Sequence, residues 1–242
     1  MRVESVEFLD EVDSDLYDLE IEGGTHNYVA EGIVVHNTCT LLINRPEHPN
    51  PLFILDEWTA TSKGVGKNGL VMVNRESNAR NVYLRSLKTL LEQGMGSRLC
   101  DLRSKNQFGL TETNQVVIYG ETFGQGIQDL AYGQKGIQFR GFDVFVGERD
   151  TGRWLNAAEK SAFFDALGVS MVPVLWQGAF GELPIEEVRD GKTVIENGGN
   201  QIREGVVVTP VQERQDPQIG RVMLKMVSPD YLLRKGGGTE YQ

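Results

Sequence analysis

Four short stretches of this sequence carry residue types that do chemistry when they are brought together. Tyr119-Gly120-Glu121-Thr122-Phe123-Gly124 places a carboxylate at the end of an apolar run, beside glycines. Phe142-Asp143-Val144-Phe145 sets aromatic rings along a strand, where one face could stack on a planar base. Arg203-Glu204-Gly205-Val206-Val207-Val208 puts a charged pair ahead of a β-branched run. Lys225-Met226-Val227-Ser228 holds a cation in a late strand. Taken singly, each has an ordinary structural reading: a glutamate at a strand end is more often solvated than catalytic, and Phe142 alone would be core. Lys63-Gly64-Val65-Gly66-Lys67-Asn68-Gly69 is rich in glycine and lysine, but its spacing and flanks are not those of a phosphate-binding P-loop.

These side chains need elements to hold them. Apolar alternation predicts strands over 38–43, 52–58, 114–119, 137–146 and 206–208, and another within 222–226. A helix is predicted over 79–95, where Val82, Leu84, Leu87, Leu90 and Leu91 share a face. A second runs over 157–167 and is stopped by Gly168. Residues 186–195 follow Pro184 and suit a partly helical segment. Phe163, Phe164, Leu167, Val172, Val174 and Leu175 are predicted core, with Trp176 in the core or a groove wall. Many strands with few long helices predict an α+β fold on antiparallel sheets.

The chain has 242 residues and 40% hydrophobic content, enough for one ordinary domain plus a small module. No apolar run approaches the length of a membrane span, and two cysteines, Cys39 and Cys100, cannot build a disulfide scaffold. A reducing, cytoplasmic setting is expected, including a host cytoplasm if the gene is phage-borne. The net charge of -10 is unevenly spread. Residues 1–37 hold ten carboxylates against Arg2, whereas 38–242 hold 24 acidic and 23 basic residues. The larger piece is therefore near neutral and has room for a local basic groove.

In order and separation, the four stretches resemble the motifs of covalent nucleotidyltransferases, specifically the small ATP-dependent RNA ligases. The texts 120–130 and 203–210 carry most of that resemblance, which spans nearly all of 38–242, and Ser62-Lys63-Gly64 sits where the family has an early basic motif. It implies an antiparallel-sheet, ATP-grasp-like nucleotidyltransferase domain using ATP and Mg²⁺ or Mn²⁺. Phe142 would stack on adenine and Glu121 would bind the ribose. Lys63, Lys225 and Arg203 would neutralise phosphate charge, and Glu204 would hold the metal. The implied reaction joins RNA 3′-hydroxyl and 5′-phosphate ends through lysyl-AMP and RNA-adenylate intermediates. Many relatives have a second lysine where this chain has Val227, which leaves Arg234 or Lys235 as substitutes. A DNA ligase or capping-type nucleotidyltransferase, and a non-catalytic nucleotide- or RNA-binding remnant, are the alternatives.

The first 37 residues resemble something different. Tyr17-Asp18-Leu19-Glu20-Ile21, then Thr25-His26-Asn27-Tyr28-Val29-Ala30-Glu31-Gly32 and Ile33-Val34-Val35-His36-Asn37-Thr38, are similar to the C-terminal blocks of an intein. This implies a short β fragment of a Hedgehog/intein-type splicing domain over 1–37, with the ligase domain over 38–242. Asn37 would cyclise on its own carbonyl and cut the following peptide bond, with His36 polarising that carbonyl or protonating the departing amine. The Thr38 hydroxyl would accept the upstream acyl group, and His26 would assist that transfer. The two resemblances meet at Thr38, because the ligase family's Lys-x-x-Gly nucleophile motif should end immediately before it, and here that place is taken by Val34-Val35-His36-Asn37. An upstream fragment carrying that motif and the other intein half is the implied partner, basic in its intein part to match the acidic 1–37. Met1 fits separate translation of a split intein's C-terminal half. RNA is the implied substrate, and no membrane partner is expected.

Overall fold

The computed structural model describes residues 27–31, 39–46, 57–63, 71–72, 76–127, 130–148, 150–196 and 198–234. Apolar alternation builds the first sheet. Its strands are β2 (Cys39–Asn44), β3 (Trp58–Ser62), β4 (Val116–Phe123), β5 (Gln138–Val146) and β6 (Arg153–Trp154). They pair antiparallel in the order β3-β2-β4-β5-β6. Three helices back this sheet: α1 (Val82–Glu92), α2 (Met95–Ser104) and α3 (Ala157–Leu167). Leu42, Ile118 and Val144 from the strands share one core with Leu87, Leu99, Phe163 and Phe164 from the helices.

Helix ends follow local chemistry. Asn81 caps α1 by accepting hydrogen bonds from the Tyr83 and Leu84 amides. Where one helix was predicted over 79–95, the chain breaks at Gly94, whose φ of 87° lies in the left-handed region. That residue ends α1 and opens α2, a helix that 3.6-residue periodicity did not reveal. α3 has the predicted bounds, with a capping box between Asn156 and Glu159 and a left-handed Gly168 behind it.

The second sheet runs β11-β8-β1-β7. It comprises β1 (Asn27–Glu31), β7 (Val174–Ala179), β8 (Gly205–Pro210) and β11 (Leu224–Val227), again antiparallel. Val206, Val208 and Val222 pack there against Leu183 and Val188, the latter from the short helix α4 (Ile185–Arg189). A ribbon of β9 (Gln215–Asp216) and β10 (Gly220–Arg221) leads into β11, and α5 (Pro229–Leu233) follows it.

Several expectations are corrected. β7 was not predicted, because its residues lack a buried–exposed alternation, and Val174, expected in the core, is 45% exposed. Helix beyond Arg189 is absent from the described part of 186–195, since Asp190 turns extended. The strand expected over 52–58 lies at 58–62, while 52–56 fall outside the described residues. Of the β fragment expected over 1–37, only 27–31 fall among the described residues, where they form an inner strand of the second sheet. No described helix is long and apolar enough to cross a membrane.

Candidate active site

A cavity of about 340 Å³ opens between the two sheets. Lys63 follows β3, Tyr119 lies on β4, and Phe142 and Asp143 lie on β5. Val207 and Thr209 on β8 and Lys225 on β11 form the opposite wall, and Lys160 of α3 and Trp154 of β6 also line the space. Three lysines and one arginine, Arg221, thus face a single lining carboxylate, Asp143. Positive walls with aromatic faces suit an anion that carries a planar ring.

The way Phe142 and Asp143 reach this cavity together depends on a β-bulge. Tyr119 pairs with Asp143 but Gly120 pairs with Gly141, which leaves Phe142 as the extra residue of β5. Neighbours on a regular strand point to opposite faces, and a bulge re-aims one of them. Gly141 is required beside it, since a Cβ there would stand 2.0 Å from the Phe164 ring. The inner face of Phe142 packs with Phe123, Tyr132, Val172 and Ile195.

Arg221, on β10, ties the β9–β10 ribbon to the first sheet. Its guanidinium bonds both Asp143 oxygens, one of them at 3.1 Å, and both Glu213 oxygens at 2.7 and 2.8 Å. It also lies 3.8 Å over the Trp154 ring, which in turn packs on Tyr119 and Phe145. Burial alone would weaken its protonation, but the hydrogen bonds to Glu213 and Asp143 reverse that and strengthen its hold on the proton. Arg221 therefore sets the aromatic wall and compensates Asp143.

Behind the cavity, Glu121 and Glu204 are both buried, and both act on Tyr132. The Tyr132 hydroxyl donates to Glu204 Oε1 at 3.0 Å. Burial, then the Glu204 and Glu121 charges, push that phenol far above its ordinary value, so it stays a donor. Tyr132 has φ of 48°, a left-handed conformation that is costly for a bulky residue. The end of β4 beside Glu121 is pinned by hydroxyl contacts from Thr122 to Thr40 at 2.7 Å and to Ser86 at 3.0 Å. Two buried carboxylates can offer oxygen donors to a hard divalent cation. No group of three or more His, Cys, Asp or Glu converges among the described residues, so water or phosphate oxygens would have to complete such an ion's shell.

The structure thus brings Lys63, Phe142 and Lys225 to one cavity and sets Glu204 on the Tyr132 hydroxyl, within the electrostatic reach of Glu121. Arg203 is a correction. It lies just ahead of β8 and donates to the carbonyls of Val188, Glu187 (3.3 Å) and Lys192 (3.0 Å). Cationic donors suit carbonyls near a helix C-terminus, here that of α4, so Arg203 serves the fold rather than a phosphate. Val227 is half-buried opposite Gly205, and Arg234 stacks on Tyr231. His26, His36, Asn37, Thr38 and Lys235 lie outside the described residues.

Sequence reasoning missed Trp154, Lys160 and Arg221 as lining residues, and Tyr132 as a partner of Glu204. Each stands alone in its local sequence, so spacing carried no signal. Cys39 also lines the cavity, with its thiol pushed up to about 12 by burial and the Glu121 charge, partly offset by Lys63. It is a neutral thiol near pH 7, which excludes it as a ready nucleophile.

Comparison with solved structures finds the same fold. A mutant of the Naegleria gruberi RNA ligase with ATP and Mn aligns at TM-score 0.59 and 17% identity, covering 86% of this chain and 51% of that one. Another mutant of that ligase, with AMP and Mn, aligns at 0.57 and 18%, with 86% and 51% covered. That ligase with PPi aligns at 0.56 and 18%, with the same shares. The chain spans about half the length of these structures. No curated protein matches the sequence. The sequence model of the RNA ligase family matches residues 56–227, most of the chain, and it runs through every strand that lines the cavity except β2: this protein belongs to the RNA ligase family.

Proposed function

We propose that this chain is the larger part of an ATP-dependent RNA ligase, completed by protein splicing at Asn37/Thr38. The observation that carries the ligase reading is the convergence of Lys63, Phe142 and Lys225, distant in sequence, on one positively lined cavity. In the spliced protein a lysine four residues before Thr38 attacks the α-phosphorus of ATP. A bond from nitrogen to phosphorus forms as the bond to pyrophosphate breaks. The adenylyl group then passes to an RNA 5′-phosphate, and a 3′-hydroxyl displaces AMP to form the phosphodiester. Phe142 stacks on the adenine, and Glu121 accepts a hydrogen bond from the ribose. Lys63 and Lys225 offset negative charge on the phosphates as it shifts toward the leaving group. Glu204, oriented by Tyr132, holds Mg²⁺ or Mn²⁺, which supplies Lewis-acid polarisation of phosphate oxygens when bound.

Position 34 holds valine, so this chain has no lysine where the family's nucleophile stands. Splicing supplies one. Asn37 cyclises and releases residues 1–37, and the acyl group carried by the Thr38 oxygen shifts to its freed amine, leaving a peptide bond. The splicing reading rests on the pattern His26, His36, Asn37, Thr38 and on its meeting the ligase motif at Thr38.

Intact mass, measured after mixing this chain with its upstream fragment and ATP-Mg²⁺, tests both parts. Loss of residues 1–37 with a new peptide bond at Thr38 supports splicing, and a further AMP adduct supports the ligase. Splicing without AMP sinks the enzyme reading. No splicing with a soluble partner sinks the intein reading alone.

A further inference from the structure

The inner strand of the second sheet, β1, lies within the part that splicing would discard. Tyr28 to Glu31 pair with Pro210 to Val207 of β8, and Asn27 to Glu31 pair with Ala179 to Val174 of β7. β7 and β8 do not pair with each other, so removing β1 would leave them about 10 Å apart, with a strand-wide slot between. The backbone groups turned into that slot would lose their partners, which a folded sheet does not tolerate when they are buried.

We propose that the slot between β7 and β8 is the docking site for a β-strand of the upstream fragment, the one leading into its Lys-x-x-Gly, and that residues 27–31 occupy it until splicing exchanges one strand for the other. This rests on the splicing reading above. Chain geometry supports the occupant. β1 ends at Glu31, opposite Val207, and β2 begins at Cys39, opposite Glu121. Val207 and Cys39 both line the cavity, so whatever joins the slot to β2 runs between two cavity-lining positions. The nucleophilic lysine, four residues before Thr38, falls in that joining stretch. A strand seated in the slot therefore delivers the lysine to the cavity, at the position where this chain's sequence has valine. Strand addition draws its affinity from main-chain hydrogen bonds, which explains how two strands of unrelated sequence can use one slot.

Hydrogen exchange read by mass spectrometry tests this on the full chain and on its spliced product. Val29→Pro should speed exchange at 174–179 and 205–210 by about tenfold or more, while 116–123 in the first sheet stays protected and reports folding. Val29→Gly is the milder variant if proline unfolds the chain. After splicing, 174–179 and 205–210 should remain protected although residues 1–37 have left. An upstream fragment with proline at the centre of the strand before its lysine should still splice, yet leave those amides fast and abolish the AMP adduct. Equal exchange in wild type and Val29→Pro overturns the occupancy by β1. Protection lost after splicing overturns the exchange, as does protection that depends on protein concentration, which would mean a second copy fills the slot. Absence of spliced product, seen by mass before exchange is measured, overturns the splicing reading and the exchange with it, while the Val29→Pro arm still reads who holds the slot.

Discussion

All five strands of the first sheet lie between Cys39 and Trp154, whereas the second sheet gathers its strands from Asn27, Val174, Gly205 and Leu224 onward. The first carries its own core, three backing helices and the aromatic side of the cavity. The second contributes Lys225, Val207 and Thr209 to the cavity and takes its inner strand from ahead of residue 38. The platform that would hold a base is therefore built within one continuous stretch, while the wall that would handle phosphate depends on a segment the splicing reading removes. On the proposed splicing reading, an interruption at this point would spare the platform and separate it from the lysine and its strand.

The sharpest way to break this contrast is adenylylation. With labelled ATP, the unspliced chain should form no stable AMP adduct, because Lys63, Lys160 and Lys225 line the cavity without supplying the motif lysine; strong labelling of residues 38–242 alone would refute that. Within the spliced protein, Lys225→Ala should lower the rate of adduct formation by about a hundredfold, the usual scale for one charge-stabilising donor, with the fold unchanged by circular dichroism. An unchanged rate would remove Lys225 from the phosphate wall.

Smaller effects address the first sheet and the ribbon tied to it. Arg221→Met leaves Asp143 buried without its cation and should cost about 3–5 kcal/mol in urea unfolding, a loss below 1 kcal/mol marking the cluster as ornamental. Gly141→Val drives a side chain into Phe164 and should destabilise the first sheet by about 3 kcal/mol, leaving exchange in 205–210 changed less than in 138–146. The mildest prediction concerns thiols. At pH 8 iodoacetamide should modify exposed Cys100 and spare Cys39. Because the folded state raises the Cys39 pKa from 9.0 to about 12, its contribution to stability is intact below pH 9 and declines as pH rises toward 12. Tyr119, raised from 10.0 to about 12 by burial first and the Asp143 charge second, acts the same way over that narrower window.

Lys63, Phe142 and Lys225, which the fold brings to one cavity, were singled out by sequence alone. Glu121, Phe142 and Lys225 stand in runs whose alternation marks strands, and Glu204 stands directly ahead of one, so each can be matched by motif. Arg203 misled because it adjoins Glu204 in sequence, while its guanidinium is taken up by the carbonyls of Glu187, Val188 and Lys192, which only the fold brings to it. Tyr132, Trp154 and Arg221 were illegible because each acts with a partner tens of residues away, and Lys160 because only the fold brings α3 to the cavity.

The order of chemistry along the chain, the α+β class, the capped ends of α3 and the charge divide at residue 37 are properties of local sequence. They follow from propensity, capping and counting, which need no long-range contact. The bulge that turns Phe142 and Asp143 toward one cavity, the Arg221 clamp between the β9–β10 ribbon and the first sheet, and the seating of 27–31 between β7 and β8 are tertiary. Each is set by which distant backbone and side-chain groups satisfy one another once buried, a choice that no single stretch of the chain makes alone.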